Sequence, residues 1–189
     1  MLFHELPMPG AYVIEPERIE DERGFFARWF CEKEFAARGL NTAWPQCNTS
    51  FNVHAGTLRG MHYQAAPHEE VKLILCARGA VHDVLLDLRP DSPAYLRSHG
   101  FELSAENHLL VYVPRGVAHG FLTLADVTEV LYLMGMPYVP ESNTGVRWND
   151  PAFKIQWPGP VRLISPKDAS FPDYVHPAGI QIAAGATTP

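Results

Sequence analysis

From Leu58 to Met134 the chain repeats one pattern: a short apolar or alternating run, then a turn signal, at spacings near ten residues. The runs cover residues 58–64, 72–77, 81–88, 100–103, 109–113, 120–124 and 129–134. Gly79, Pro90-Asp91-Ser92-Pro93, Pro114-Arg115-Gly116 and Ala125-Asp126 separate them. Many short strands with regular turn signals select an all-β protein, either a barrel or a double-sheet jelly roll. Within 81–88, Val84, Leu86 and Leu88 share one face, while Asp83, Leu85 and Asp87 share the other. That mixed second face suits a wall with some polar contacts.

The flanks fit the same class. Tyr12-Val13-Ile14 reads as a strand between Pro9-Gly10 and Pro16, and Gln46 to Phe51 as another before a turn at 52–56. Asp21-Glu22-Arg23-Gly24 is a turn signal, followed by a strand expected over 25–30. Residues 31–38 form the best helix candidate, with Gly39 as its stop, so helices are few, short and peripheral. Beyond Pro137 the segments around Trp148 and Trp157 read as capping loops, and residues 183–189 as a frayed tail.

With 189 residues, no repeats and no linker, one domain is expected, large enough to bury about 70% of its unfolded surface. The formal charge of −6 argues against nucleic acid, which asks for a basic face. No apolar run is long enough for a membrane span. Cys31, Cys47 and Cys76 are odd in number and lack CxxC spacing, and the N-terminus lacks a secretion-signal pattern. A soluble cytoplasmic protein with reduced cysteines follows as the expectation.

Chemistry concentrates in Gly56-Thr57-Leu58-Arg59-Gly60-Met61-His62-Tyr63-Gln64, with Lys72 close behind. Cationic and proton-transferring groups are costly to bury in a strand, which points to the mouth of a cavity for an anionic ligand. His62 suits a general base acting on a carbon next to a carbonyl. Lys72 suits stabilisation of the enolate, and Tyr132 a proton donor from the other side. Taken singly, a hydrogen-bonded core histidine or a core aromatic is the plainer alternative. Arg59, His62, Lys72 and His119 together are harder to account for without a site. Arg59 and Arg23 suit a diphosphate, which guanidinium binds bidentately. Strict alternation would put Arg59 and His62 on opposite faces, so either Gly60 carries a bulge or Arg59 lies beyond the strand end.

Pro114-Arg115-Gly116-Val117-Ala118-His119 resembles the second signature motif of cupins, in which such a histidine often binds metal. The partner motif asks for His-x-His, and His62-Tyr63-Gln64 stands there instead. At most His62, His119 and Glu69 or Glu70 remain, with His68 unplaced, so a metal-free pocket is expected.

The chain as a whole resembles the dTDP-4-dehydrorhamnose 3,5-epimerase family, from about Asp21 to Asp168. The markers include 21–26, 56–64, Lys72-Leu73, Asp83-Val84, Asp87-Leu88-Arg89, 103–107, 114–121, 145–151 and Trp157-Pro158. The resemblance implies a cupin-type jelly roll that inverts C3, C5 or both of a 4-keto-6-deoxyhexose on a nucleoside diphosphate, with no cofactor. It makes His62 the base, Asp168 its orienting carboxylate, Tyr132 the proton donor and Lys72 the group polarising the C4 carbonyl. Arg59 and His119 would hold sugar and phosphates beside Lys167, and Tyr138 would stack on the base. Arg23, Phe26, Gln46 and Asn48 would contact the nucleotide, from a partner subunit in a homodimer that exchanges its N-terminal strands, within residues 1–55. Arg28, Pro137 and Asn143 depart from the family pattern, leaving CDP and GDP sugars beside dTDP and single-carbon epimerisation beside double. A metal-dependent cupin isomerase or oxygenase and a non-catalytic sugar-nucleotide module are the competing readings.

Overall fold

The computed structural model describes residues 1–175. The tail expected over 183–189 lies outside the described residues. From the N-terminus come strands β1 (Leu2–Glu5), β2 (Tyr12–Glu15), β3 (Arg18–Asp21) and β4 (Gly24–Ala27). Helix α1 (Glu32–Ala36) follows, then β5 (Gln46–Asn52), β6 (Thr57–Gln64), β7 (Lys72–Arg78) and β8 (Ala80–Asp87). Next come β9 (Ser98–Ser104), β10 (Leu110–Val113), β11 (Val117–Thr123) and β12 (Thr128–Met134). The described chain closes with β13 (Asn143–Gly145), β14 (Leu163–Ile164) and helix α2 (Pro166–Ala169).

Two sheets face one another, as in a jelly roll. One has the order β1-β2-β10-β7-β12-β5, the other β13-β6-β11-β8-β9, with β14 parallel to β6. Strands β3 and β4 form a separate ribbon. Between the sheets, Ile74, Cys76, Val111, Val113 and Val130 of the first meet Val81, Leu85, Leu103, Val117 and Phe121 of the second. The strands pack on both faces. Ile14, Leu73, Leu110 and Tyr112 turn outward from the first sheet and are covered by Met1, Phe30, Phe35 and Trp44. Val84, Leu86, Ala118 and Met61 turn outward from the second, beneath Val146, Phe153, Trp157 and Tyr174. Each fully buried leucine or phenylalanine in these layers contributes about 2 kcal/mol. The loops around Trp148 and Trp157 therefore cap the second sheet, and Trp157 Nε1 donates to the Trp148 carbonyl at 3.1 Å.

Two local readings change. The strand expected over 25–30 ends at Ala27, because Phe30 turns into the layer under the first sheet, its ring 5.0 Å from Phe35 and 6.1 Å from Trp44. The helix expected over 31–38 keeps only 32–36. It ends as a Schellman turn, with Leu40 N donating to Phe35 O and Gly39 N to Ala36 O, both at 3.0 Å, and Gly39 at φ +69°.

Candidate active site

A cavity of about 1030 Å³ opens between the sheets, and ten of the twelve residues given site roles from the sequence line it. Strand β6 supplies Arg59 and His62, β7 supplies Lys72, β11 His119, β12 Tyr132 and β5 Gln46 and Asn48. Tyr138 comes from the loop after β12, and Lys167 and Asp168 from α2.

Arg59 and His62 reach the same cavity because β6 carries a bulge. Across the β6–β11 pair, Arg59 faces Phe121 and His62 faces His119, so three steps on β6 match two on β11. Gly60 makes this packing possible. Its φ is +122°, and a Cβ there would stand 2.4 Å from the Gly120 Cα and 2.9 Å from the His119 carbonyl oxygen.

The carboxylate partner of His62 arrives from far along the chain. Parallel pairing of β14 with Thr57 and Leu58 brings residues 163–168 beside β6. Ser165 then caps α2, its Oγ accepting from Asp168 N at 3.0 Å. This sets Asp168 Oδ1 2.7 Å from His62 Nε2, while Gly60 N donates to Oδ2 at 3.3 Å. Burial works against the Asp168 carboxylate, yet hydrogen bonds from His62, Gly60 and Ser165 and the imidazole's charge outweigh it. The group is held below the usual carboxylate range. An ionised carboxylate only accepts, so Nε2 carries the hydrogen of this bond, and in the neutral imidazole the lone pair sits on Nδ1.

A second imidazole–carboxylate pair lies alongside. His119 Nε2 is 2.7 Å from Asp83 Oδ2, and both residues are buried. Asp83 Oδ1 is buried without a hydrogen-bond partner among the described residues. The His119 ring meets Tyr132 edge-on at 6.2 Å. Burial, more than any neighbour, pushes the Tyr132 phenol well above its ordinary range, and its hydroxyl lies 3.4 Å from Ser50 Oγ. Lys72 Nζ donates to the His62 carbonyl at 3.2 Å and pairs with Glu70 at 3.0 Å. Arg59 Nε donates to Asn52 Oδ1 at 2.7 Å, and neither Arg59 nor Lys167 forms an ion pair among the described residues.

Gln64, which replaces the second histidine of the cupin motif, is buried and spends its amide on the backbone. Nε2 donates to the His68 and Pro137 carbonyls, and Oε1 accepts from Val139 N at 2.7 Å. His68 Nδ1 lies 2.8 Å from Ser142 Oγ. No cluster of three or more His, Cys, Asp or Glu side chains that could hold a metal occurs among the described residues.

Arg23 and Phe26 stand apart from the cavity, on the β3–β4 ribbon. Phe26 is 69% exposed, Ile19 70%, and Arg23 pairs with Asp21. Conversely, Glu70 and Asp83 line or support the site in roles that the sequence did not suggest. The signals for them were Glu-x-Lys at 70–72 and the polar face of β8.

Residues 5–175 match the family model for dTDP-4-dehydrorhamnose 3,5-epimerase. An enzyme of that name from Sinorhizobium fredii is 39% identical over 173 residues, covering 91% of this chain and 89% of its own. A dTDP-4-dehydrorhamnose 3-epimerase from Streptomyces niveus is 37% identical over 169 residues, covering 89% and 81%. The crystal structure of the Bacillus anthracis 3,5-epimerase with TDP and PPi bound superposes with a TM-score of 0.88 at 38% identity, covering 92% of this chain and 99% of that one. Fold and comparisons together define a carbohydrate isomerase on a cupin-type jelly roll. The chain belongs to the dTDP-4-dehydrorhamnose 3,5-epimerase family. No helix among the described residues is long and apolar enough to cross a membrane.

Proposed function

We propose that this protein inverts C3 and C5 of a dTDP-linked 4-keto-6-deoxyhexose by proton transfer, without a metal or organic cofactor. The observation that carries the reading is the entry of the His62–Asp168 pair and of Tyr132 into one cavity from opposite sheets. Both carbons adjoin the C4 ketone, so each C–H is acidic enough for an imidazole base. His62 Nδ1 takes the proton from one face of the ring, and electron density moves to the C4 oxygen. Lys72 stabilises that enolate. Tyr132, whose raised pKa keeps it protonated, returns a proton to the opposite face and inverts the centre. The histidine then loses its proton and the tyrosinate regains one before the second centre reacts, so solvent hydrogen enters the product.

Binding follows the charges. Arg59 and Lys167, which form no ion pair among the described residues, hold the diphosphate, and His119 contacts the sugar. Gln46 and Asn48 contact the nucleotide and Tyr138 stacks on its base. Arg23 and Phe26 act from the exposed ribbon on the cavity of a partner copy, in a homodimer that exchanges N-terminal strands. The Bacillus anthracis relative binds TDP, which favours dTDP over CDP or GDP as the carrier.

The 3-epimerase from Streptomyces niveus supports a second reading, inversion at C3 alone. NMR of the products formed from dTDP-, CDP- and GDP-linked 4-keto-6-deoxyglucose separates these outcomes. Turnover of the dTDP sugar with both centres inverted is expected. A product altered only at C3 establishes the second reading, and no turnover of any substrate contradicts both. Stoichiometric metal on His62 and His119 in protein purified without added metal would likewise overturn the cofactor-free mechanism.

A further inference from the structure

Glu70 precedes β7 and lines the cavity, yet its side chain is only 8% exposed. A carboxylate walled into a cavity proposed to receive a diphosphate is unfavourable unless a specific partner uses it. That partner is Lys72, whose side chain is equally enclosed, with Nζ 3.0 Å from Glu70 Oε1. An ammonium has three donors and no acceptor. The His62 carbonyl accepts one at 3.2 Å, and the ion pair draws the ammonium toward Glu70, which leaves donor capacity for the cavity. Lysine is a flexible point charge whose direction is not fixed by its own geometry, unlike the planar fork of arginine. The His62 carbonyl and the Glu70 carboxylate together supply that direction.

We propose that Glu70 is a positioning residue for the epimerisation: it holds the Lys72 ammonium against the His62 strand so that a remaining N–H meets the C4 keto oxygen. The inference rests on the proposed proton-transfer function. It also explains a negative charge that would otherwise work against an anionic substrate. Glu70 offsets part of the field of Lys72, and in return the ammonium is preorganised where enolate charge develops, which costs no reorganisation during reaction. Glu70 itself touches neither reacting carbon.

The test compares Glu70→Gln, Glu70→Ala, Lys72→Ala and the double variant Glu70→Ala/Lys72→Ala with the wild type. The readouts are kcat, KM, dTDP affinity and solvent-deuterium exchange on the dTDP-linked 4-keto sugar. Glutamine keeps an acceptor at the same place, so kcat is expected to fall about tenfold in Glu70→Gln and about 100-fold in Glu70→Ala. Affinity for dTDP is expected not to fall in either Glu70 variant, since each removes a negative charge from the cavity. In the Lys72→Ala background, Glu70→Ala is expected to add almost nothing, because residues acting as one unit are non-additive. Wild-type kcat in both Glu70 variants would overturn the role of Glu70. So would a Glu70→Ala loss that persists undiminished without Lys72, the mark of a purely structural defect. Wild-type enzyme that neither turns over nor exchanges would instead remove the proposed function beneath it.

Discussion

His62 and Asp168 stand 106 positions apart in sequence, yet Nε2 and Oδ1 meet at 2.7 Å. Three features produce that contact: the parallel β14–β6 pairing, the Ser165 cap of α2 and the bulge at Gly60. The bond fixes the tautomer that leaves Nδ1 basic. Asp168→Asn is therefore expected to lower kcat about 100-fold or more while the fold persists. Steady-state kinetics beside a circular-dichroism spectrum checks this.

The same carboxylate carries a pH signature. Its folded pKa lies below the unfolded one, so its stabilisation is present in full above the ordinary carboxylate value near 4. That stabilisation is lost as pH falls through the lowered value. Urea midpoints of wild type and Asp168→Asn are thus expected to differ most at neutral pH and to converge in acid. A gap that widens on acidification would contradict a lowered Asp168 pKa.

Tyr132→Phe removes the proposed donor and leaves the base in place. Deuterium exchange with retained configuration is expected to survive better than formation of the inverted product. Product stereochemistry and exchange rate from one NMR time course separate the two. Wild-type yield of the epimer would remove Tyr132 from the mechanism.

Gly60→Ala tests the bulge. The added methyl meets Gly120 and the His119 carbonyl at a φ that alanine resists, a cost of about 1–3 kcal/mol. The urea midpoint is expected to drop, and activity to drop further because Arg59 and His62 no longer share a direction.

Much of this architecture was legible from residue order. Short strand-like runs marked β2 and β5 to β12 but neither β1 nor β13, and the Arg59–His62 segment marked the cavity. Other elements lacked a local signal. Arg18–Asp21 is exposed at every position, so β3 shows no apolar alternation. Leu163–Ile164 is two residues long, and its parallel partner lies about a hundred residues earlier. Asp168 entered through family resemblance alone, since nothing near it in sequence points to His62. Of the two possibilities left open for Arg59, the register shift between His119 and Phe121 selects the bulge.

Strand exchange through the ribbon has its own test in mixed dimers of Arg23→Ala and His62→Ala. If Arg23 serves the partner's cavity, a mixed dimer regains one intact site, so about a quarter of all sites recover in an equimolar mixture. Activity equal to the mean of the separate variants would place Arg23 on its own cavity or on none.

Proton removal by His62 at the carbons flanking the ketone is tested most directly by NMR of the dTDP-linked 4-keto sugar in deuterated water. Wild-type protein is expected to place deuterium at both C3 and C5, and His62→Ala to slow exchange at both by about 100-fold or more. Epimerisation without deuterium uptake, or His62→Ala exchanging at the wild-type rate, would contradict it.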